Sequence, residues 1–573
     1  MEKIWLKHYD PGVPETIDYP RVPLQELLRD ATRRFPDNTA IIFPGAFEDE
    51  YLMSYRQLSD KSDRIANALA KMGVKKGDRV ALLMPNCPQF VISYYAVLKL
   101  GGIVVATNPL YSPREIEFQL NDSGAETIIL LSLFYKTVMK LKDKTKLKNV
   151  VVTNIKEYLP PVSRKMFTLY LERQEGHRVR IPKSPNIHKF QDLLRRFDPK
   201  PPKVAVHPDD IAMFQYTGGT TGLSKAAVAL HRNVLANVYQ MRYWGEPLGL
   251  DEGKEVIFGV MPLFHVYGMV TVMHFSILSA SAMVLLPRFE TEQVLKAIDR
   301  YKPAFFPGVP TMYVALNNHP DVAKYDLRSI KLCNSGAAPL PVEVQQTFGE
   351  LTGAKLSEGY GLSEAPTATH VNPVAGVRKV GSIGMPLPDV EARIMDGETG
   401  EKELPIGEVG ELVIRAPQVM KGYWNRPEET KLVLRNGWLY TGDMARVDED
   451  GYFYIVDRKK ELIIAGGFNI YPREVEEVLY EHPKIKEVVC YGVPDPYRGQ
   501  TVKVAIVLKE GKTATAEEII EFCRSRLGRF KIPKIVEFRD QLPKSLIGKV
   551  LRRVLVEEEA AKLKQAQKEQ AGK

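Results

Sequence analysis

RVALLMPNCPQFVISYYAVLKLGGIVVAT, Arg79 to Thr107, carries the pattern that decides the fold. RVALLMPN is a nearly unbroken apolar run and reads as a buried strand. PQFVISYYAVLKLG has helical character, and IVVAT reads as a second strand. Further along, AETIILLS (Ala125 to Ser132) adds another strand. Upstream, Leu24, Leu27, Leu28 and Ala31 share one helix face, and Leu58, Ile65 and Leu69 share another. Strands alternating with helices imply layered sheets with helices packed on their faces, an α/β domain.

A second pattern begins near Asp457. VVCYGV and TVKVAIVL read as strands. A helix from Thr515 to Leu527 opens with a capping box, Thr515 to Glu518, and KIVEFRD is a short strand. A chain of 573 residues exceeds one ordinary hydrophobic core. The expected organisation is a large N-terminal domain over 1–456 and a small, mobile α+β C-terminal domain over 457–573. The charged tail from Glu557 is expected to fray. No long-range repeat is present.

Hydrophobic residues make up 44% and charged residues 26%, with a net charge of +9. That balance suits a globular protein with affinity for polyphosphates or acidic lipid. No Lys/Arg tract is dense enough to favour nucleic acid. Cys87, Cys333, Cys490 and Cys523 are widely spaced and form no CxxC pair, so buried free thiols in a reducing compartment are expected. MEKIWLKHYDPGVPE lacks the apolar core of a signal peptide. The longest apolar run, Met269 to Leu286, contains His274 and reads as a buried helix followed by a buried strand rather than a membrane span. A cytoplasmic protein is expected, with its oligomeric state, homodimer included, left open.

The segment from Lys156 to Lys200 stands apart, with eleven Lys/Arg against five Asp/Glu. Val162, Met166, Leu169 and Tyr170 fall at helical spacing within it. A surface helix packed on its own domain is the plain expectation. A peripheral contact with a membrane surface is the functional one.

YTGGTTGLSK, Tyr216 to Lys225, concentrates glycine, threonine and lysine after the strand-like IAMFQ. Glycines admit a ligand close to the backbone, and hydroxyls, amides and Lys225 suit phosphate oxygens. The spacing does not satisfy GxxxxGK[ST], so a Walker-type loop is excluded. Five more segments lie downstream: PLFHVYG (Pro262 to Gly268), GVPTMY (Gly308 to Tyr313), SGAAPL (Ser335 to Leu340), EGYGLSE (Glu358 to Glu364) and YTGD (Tyr440 to Asp443). DRKKELIIAGGFNIYPREVE (Asp457 to Glu476) and LPKSLIGKVLRR (Leu542 to Arg553) complete the series.

In this order the motifs resemble the acyl-adenylate-forming superfamily, from about Leu24 to Arg553. Within it the chain looks most like the long-chain fatty-acid–CoA ligases of bacteria. Ser224 and Ala226 stand where that family usually has proline and glycine.

The resemblance implies ATP-dependent adenylation of a fatty acid, release of pyrophosphate, and transfer of the acyl group to coenzyme A. It implies Lys549, Glu364 and His265 as catalytic residues, and Mg2+ held by Glu364 with Thr217. It implies nucleotide contacts from Thr217, Gly218, Gly219, Thr220, Thr221, Gly222 and Lys225 in the loop. Gly336, Ala337, Ala338, Glu358, Gly359, Tyr360, Gly361 and Ser363 are implied around the adenine and α-phosphate. Asp443, Ile455, Arg458 and Lys460 complete the nucleotide set. Val266, Met269 and Gly308 are implied for the acyl tunnel, Gly466 and Gly467 for the pantetheine path, and Asp457 as the hinge. A ligase for shorter or aromatic acids, and an adenylate-binding protein without turnover, remain as alternatives.

Overall fold

The computed structural model describes residues 3–217, 224–338, 340–459, 461–465, 468–495, 498–544 and 550–571. Gly218, Gly219, Thr220, Thr221, Gly222, Lys460, Gly466, Gly467 and Lys549 lie outside the described residues.

RVALLMPNCPQFVISYYAVLKLGGIVVAT folds as its pattern demands. Strand Arg79–Leu83 and strand Ile103–Thr107 pair in parallel, joined by helix Pro88–Lys99. Proline at the first helical position suits the helix start, where no backbone donor is needed. Every residue of that helix is buried, its polar ones included: Lys99 at its end pairs with Asp63 at 2.8 Å.

Among the described residues the two strands belong to a sheet of eight, whose centre is parallel. Its other edge carries Ile211–Thr217 antiparallel to Lys225–Leu230. A sheet of nine lies beside it, parallel from Lys355–Leu362 through Thr39–Pro44 and antiparallel at both edges. One apolar core runs between the two sheets, and a smaller one fills the outer face of the eight-stranded sheet. Asn86 ties the sheets together where the chain leaves strand Arg79–Leu83. Its amide donates to the carbonyls of Gly259 (3.0 Å) and Met261 (2.9 Å), and its Oδ1 accepts from the Leu263 amide at 2.8 Å.

The run Met269 to Leu286 is buried as expected: π-helical Met269–His274, helix Phe275–Leu278, then strand Ala282–Leu285. His274 is accommodated between the hydroxyls of Tyr95 (2.8 Å) and Tyr94 (3.3 Å). Burial drives its pKa down to about 3, so it stays neutral. The four cysteines are free and buried. No helix among the described residues is long and apolar enough to cross a membrane.

A third sheet, ending in strand Trp438–Val447 and strand Phe453–Arg458, leads into the C-terminal unit. There strand Ile485–Asp495 pairs with Gly499–Leu508, and Ile535–Phe538 adds in parallel. The molecule is α/β, with a large N-terminal sheet domain and a smaller C-terminal one.

Three local expectations are corrected. The Thr515 hydroxyl does accept from the Glu518 amide (3.2 Å), but the Glu518 carboxylate binds Lys484 at 2.7 Å, so only half of the capping box is in place. The tail does not fray at Glu557: a helix spans Arg552–Ala571. Leu555 is fully buried beside Val489 and Tyr491, while Glu558 and Glu559 pair with Arg539 and Lys503.

The third correction concerns the stripe of the 156–200 segment. Helix Pro161–Met166 runs into a π-turn at Phe167–Leu171. Ser163 and Phe167 face inward, whereas Val162, Leu169 and Tyr170 are 55%, 63% and 66% exposed. A π-turn takes up one extra residue and rotates the side chains beyond it, so the spacing of an α-helix no longer selects the packing face.

Candidate active site

The strand ends converge on a cavity of roughly 880 Å³, counting the part open to solvent. One wall is apolar and includes Met241, Trp244, Leu248, Leu250, Phe275 and Phe305. The lining also includes motif residues: His265 and Val266, Gly336 and Ala337, and the stretch Gly359 to Gly361. Segments scattered over more than a hundred positions of the chain therefore share one hollow. His265 caps the short helix Val266–Gly268, its Nδ1 accepting from the Tyr267 amide at 3.2 Å. Tyr267 in turn donates to the Asn334 carbonyl at 2.7 Å.

Met269 is fully buried and does not line the cavity; Thr271 and Phe275 do. Tyr267, Thr271 and Phe275 recur every four residues, which puts them on one side of the helical run. Gly308 stands one layer back, its carbonyl accepting from the Gly336 amide at 3.1 Å. Gly361 is glycine for want of room: a Cβ there would collide with the Thr367 carbonyl.

Tyr360 reaches from the cavity wall to the third sheet. Its hydroxyl donates to Asp443 Oδ2 at 2.5 Å, and Arg458 Nε lies 3.2 Å from Asp443 Oδ1. Burial and the Asp443 charge hold the Tyr360 phenol well above its usual range, so it remains a donor. Asp443 itself is positioned by the turn before it. Gly442 has φ +75°, its amide donates to Glu411 (3.1 Å), and the same carboxylate binds Lys459 at 2.8 Å.

A second network continues from the same strand. The Tyr423 hydroxyl donates to Glu364 Oε1 at 2.7 Å, and Lys225 lies over the Tyr423 ring while pairing with Glu429. Burial and then the Glu364 charge raise the Tyr423 pKa. Thr217 and Lys225 are register partners at the neck of the phosphate loop. Ser224, where the family usually has proline, closes that neck by donating to the Thr217 carbonyl at 2.5 Å.

Glu358 is buried behind the site. It accepts from the Leu340 amide (3.3 Å) and faces Arg473 at 3.5 Å. Burial raises its pKa against the pull of Arg473. Arg473 lies in the first turn of helix Pro472–Tyr480 and also donates to the Ile455 carbonyl at 2.8 Å, so it joins the two domains. Asp457 accepts from the amides of Arg458 (2.7 Å) and Arg473 (2.9 Å). Arg552 gathers Glu461, Glu476 (2.7 Å) and Asp457 (3.7 Å) around one guanidinium. Ala338 and Ser363 are half-buried at the edges of their loops.

Sequence reasoning did not pick out Asn86, Tyr423, Glu411, Glu429, Arg473 or Arg552. Tyr423 had a signal, an aromatic after glycine in a turn-rich stretch, but its partner Glu364 is 59 positions away.

The AMP-binding enzyme family model matches residues 28–424, and the AMP-binding enzyme C-terminal domain matches 474–549. The chain is 48% identical over 560 residues to a long-chain-fatty-acid–CoA ligase of Bacillus subtilis (strain 168), covering 97% of this chain and 98% of that one. It is 38% identical over 572 residues to a long-chain-fatty-acid–CoA ligase of Escherichia coli O6:H1, covering 98% and 99%. ATP-bound MatB from Rhodopseudomonas palustris superposes with a TM-score of 0.82 at 28% identity, covering 94% and 99%. The apolar cavity, the Tyr360–Asp443–Arg458 cluster and these matches agree: the chain belongs to the AMP-binding enzyme family.

Proposed function

We propose that the protein is a long-chain-fatty-acid–CoA ligase that forms an acyl-adenylate from ATP and passes the acyl group to coenzyme A. The observation that carries this reading is the shared wall Gly359 to Gly361. On one side lies a cavity lined by Trp244, Leu248 and Phe305, suited to an alkyl chain. On the other, the Tyr360 hydroxyl is fixed on Asp443, a carboxylate suited to accept from a ribose.

In this reading His265 and Ala337 mark where the fatty carboxylate meets the α-phosphate. A carboxylate oxygen attacks the α-phosphorus, and the bond to the β-phosphate oxygen breaks as pyrophosphate leaves. Lys225 and Lys549 offset the like-charge repulsion. Tyr360, Asp443 and Arg458 fix the nucleoside, converting an encounter into an oriented step. The thiol sulfur of coenzyme A then attacks the acyl carbon, the bond to the phosphate oxygen breaks, and AMP leaves. The C-terminal domain turns about Asp457 between the two steps, with Gly466 and Gly467 along the pantetheine path.

Magnesium fits the residues present. Glu364 Oε1 is held by Tyr423, and no described side chain hydrogen-bonds Oε2. No group of three or more His, Cys, Asp or Glu among the described residues could hold a metal, so the triphosphate and water would supply most of its ligands. Glu364, with Thr217 beside the loop neck, would hold it there. When bound, it neutralises triphosphate charge and steadies the departing pyrophosphate.

The testing experiment is thioester formation with ATP, magnesium, coenzyme A and acids of graded length, aromatic acids included. A maximum at long chains is expected; a maximum at aromatic or short acids overturns the substrate assignment. Lys549→Ala should abolish pyrophosphate exchange yet leave transfer from supplied acyl-adenylate to coenzyme A largely intact. Equal loss of both would contradict the two-position mechanism.

A further inference from the structure

The apolar cavity has a near end and a far end. Strand Ala365–Val371 starts beside Glu364 and runs antiparallel to strand Lys355–Leu362. Its seven residues, at about 3.3 Å each, carry it roughly 20 Å away from Glu364. Val371 and Val374 line the cavity at that far end. Lys355, at the start of the partner strand, donates to the Val374 carbonyl at 3.3 Å. Trp244 belongs to the same end: it lines the cavity, and its indole donates to the Asn372 carbonyl at 3.1 Å.

Behind this end runs the N-terminal segment, residues 3–19. Tyr9 packs edge-on against Trp244, with ring centroids 5.0 Å apart. Its hydroxyl donates to the Pro386 carbonyl at 2.6 Å, and the next residue, Leu387, lines the cavity. Burial, reinforced by the charges of Asp389 and Glu15, pushes the Tyr9 phenol up, so it stays a donor. Asp10 is buried and accepts from three consecutive amides: Val374 (2.7 Å), Ala375 (2.9 Å) and Gly376 (2.5 Å). Asp389 returns the tie, accepting from the Ile17 amide (3.0 Å) and the Tyr19 hydroxyl (2.8 Å).

Two glycines make room for the segment. A Cβ on Gly376 would stand 2.6 Å from Asp10 Oδ1, and one on Gly451 would stand 2.7 Å from the Trp5 backbone. Trp5 is itself buried, edge-on to Phe453 at 6.0 Å. The segment is a fitted layer of the domain, and Tyr9 and Asp10 both press on residues that line the far end.

We propose that residues 3–19 set the depth of the cavity, with Tyr9 and Asp10 as positioning residues for acyl-chain length. Neither touches the substrate. Tyr9 braces Trp244 from behind and Asp10 pins the backbone of Val374, so the methyl end of a chain meets a wall that close packing keeps from yielding. That the ligand is an alkyl acid rests on the proposed function; what limits its length rests on this segment.

The test loads the full chain with a fluorescent long-chain acid and displaces it with saturated acids of graded length. Thioester formation over the same series runs in parallel. In the parent, affinity should rise with length and stop rising once the cavity is full. Tyr9→Ala lets Trp244 swing outward and should extend the rise, by about fourfold for each further methylene admitted. KM for ATP, and kcat with acids short enough to fit the parent, should not change. Tyr9→Phe keeps the ring against Trp244 and should hold the parent's profile. Tyr9→Leu should give the same extension in smaller measure, and serves if Tyr9→Ala folds poorly. Asp10→Ala should extend the profile too, and should speed amide hydrogen exchange at Val374, Ala375 and Gly376 about tenfold or more. Val374→Phe fills the far end and should move the maximum to shorter acids. A length profile unmoved in the Tyr9 and Asp10 variants overturns the inference, as does an equal loss at every length. A Tyr9→Phe profile no different from that of Tyr9→Ala also overturns it. A profile that shifts in binding while no acid becomes a thioester would leave the wall standing and count against the proposed function.

Discussion

Tyr360 does two jobs with one side chain. Its ring lines the apolar cavity while its hydroxyl, 2.5 Å from Asp443, is kept protonated by burial and by that carboxylate. Removing the hydroxyl leaves a buried, charged acceptor short of a donor, which costs about 1.5–3 kcal/mol. Tyr360→Phe should therefore lower kcat/KM for ATP about tenfold or more, with little change in dependence on fatty-acid length. Pyrophosphate exchange across ATP concentrations is the check, and an unchanged ATP response would remove Tyr360 from the nucleotide site. Glu364 illustrates a different residue-scale lesson: the acid stood out within EGYGLSE, but Tyr423, whose hydroxyl holds its Oε1, did not.

Elements take their positions from a few polar ties as well as from apolar burial. Asn86 spans the two large sheets with three hydrogen bonds, all buried. Asn86→Ala strands two carbonyls and one amide and should destabilise the fold by about 2–4 kcal/mol. Because Leu263 lies within PLFHVYG, two residues before His265, ATP-dependent activity should fall in the same variant below its melting transition. A denaturant series with activity measured alongside would reveal a purely structural role if only stability changed. At the other end, Leu555 is fully buried in its own small apolar cluster. Leu555→Ala should destabilise the C-terminal domain by about 2–5 kcal/mol. Faster hydrogen exchange in strands Ile485–Asp495 and Gly499–Leu508, with the nine-stranded sheet unaffected, is the expected pattern.

At the scale of the whole molecule, the two domains meet at a charged joint. Arg473 faces Glu358 across the interface, and just behind it, within the C-terminal domain, Arg552 faces Glu461, Glu476 and Asp457. Burial raises the Asp457 pKa from 3.8 to about 6 despite the pull of Arg552. The folded protein therefore holds this proton where the unfolded chain has released it. Between about pH 4 and pH 6 the contribution of Asp457 to stability declines as pH rises, and above that window the decline is complete. Asp457→Asn has no proton to lose. Its stability relative to the parent should improve from about pH 4 to about pH 7, by an amount on the order of 3 kcal/mol. Denaturation midpoints of both proteins at the two pH values measure it, and a pH-independent difference would contradict the linkage.

What the sequence by itself determined was local or serial: strand and helix type, the order of motifs, and hence the α/β class and the family. Apolar periodicity reports whether a segment is buried, and for Arg79 to Thr107 that was enough. What only the tertiary structure decided was partnership and direction. Tyr423 meets Glu364 across 59 positions, and Arg552 meets Glu461 across 91. Glu518 leaves its own cap for Lys484, and the stripe through Leu169 and Tyr170 turns outward. A side chain's partner depends on which segments the topology brings alongside it, and spacing along the chain carries no record of that.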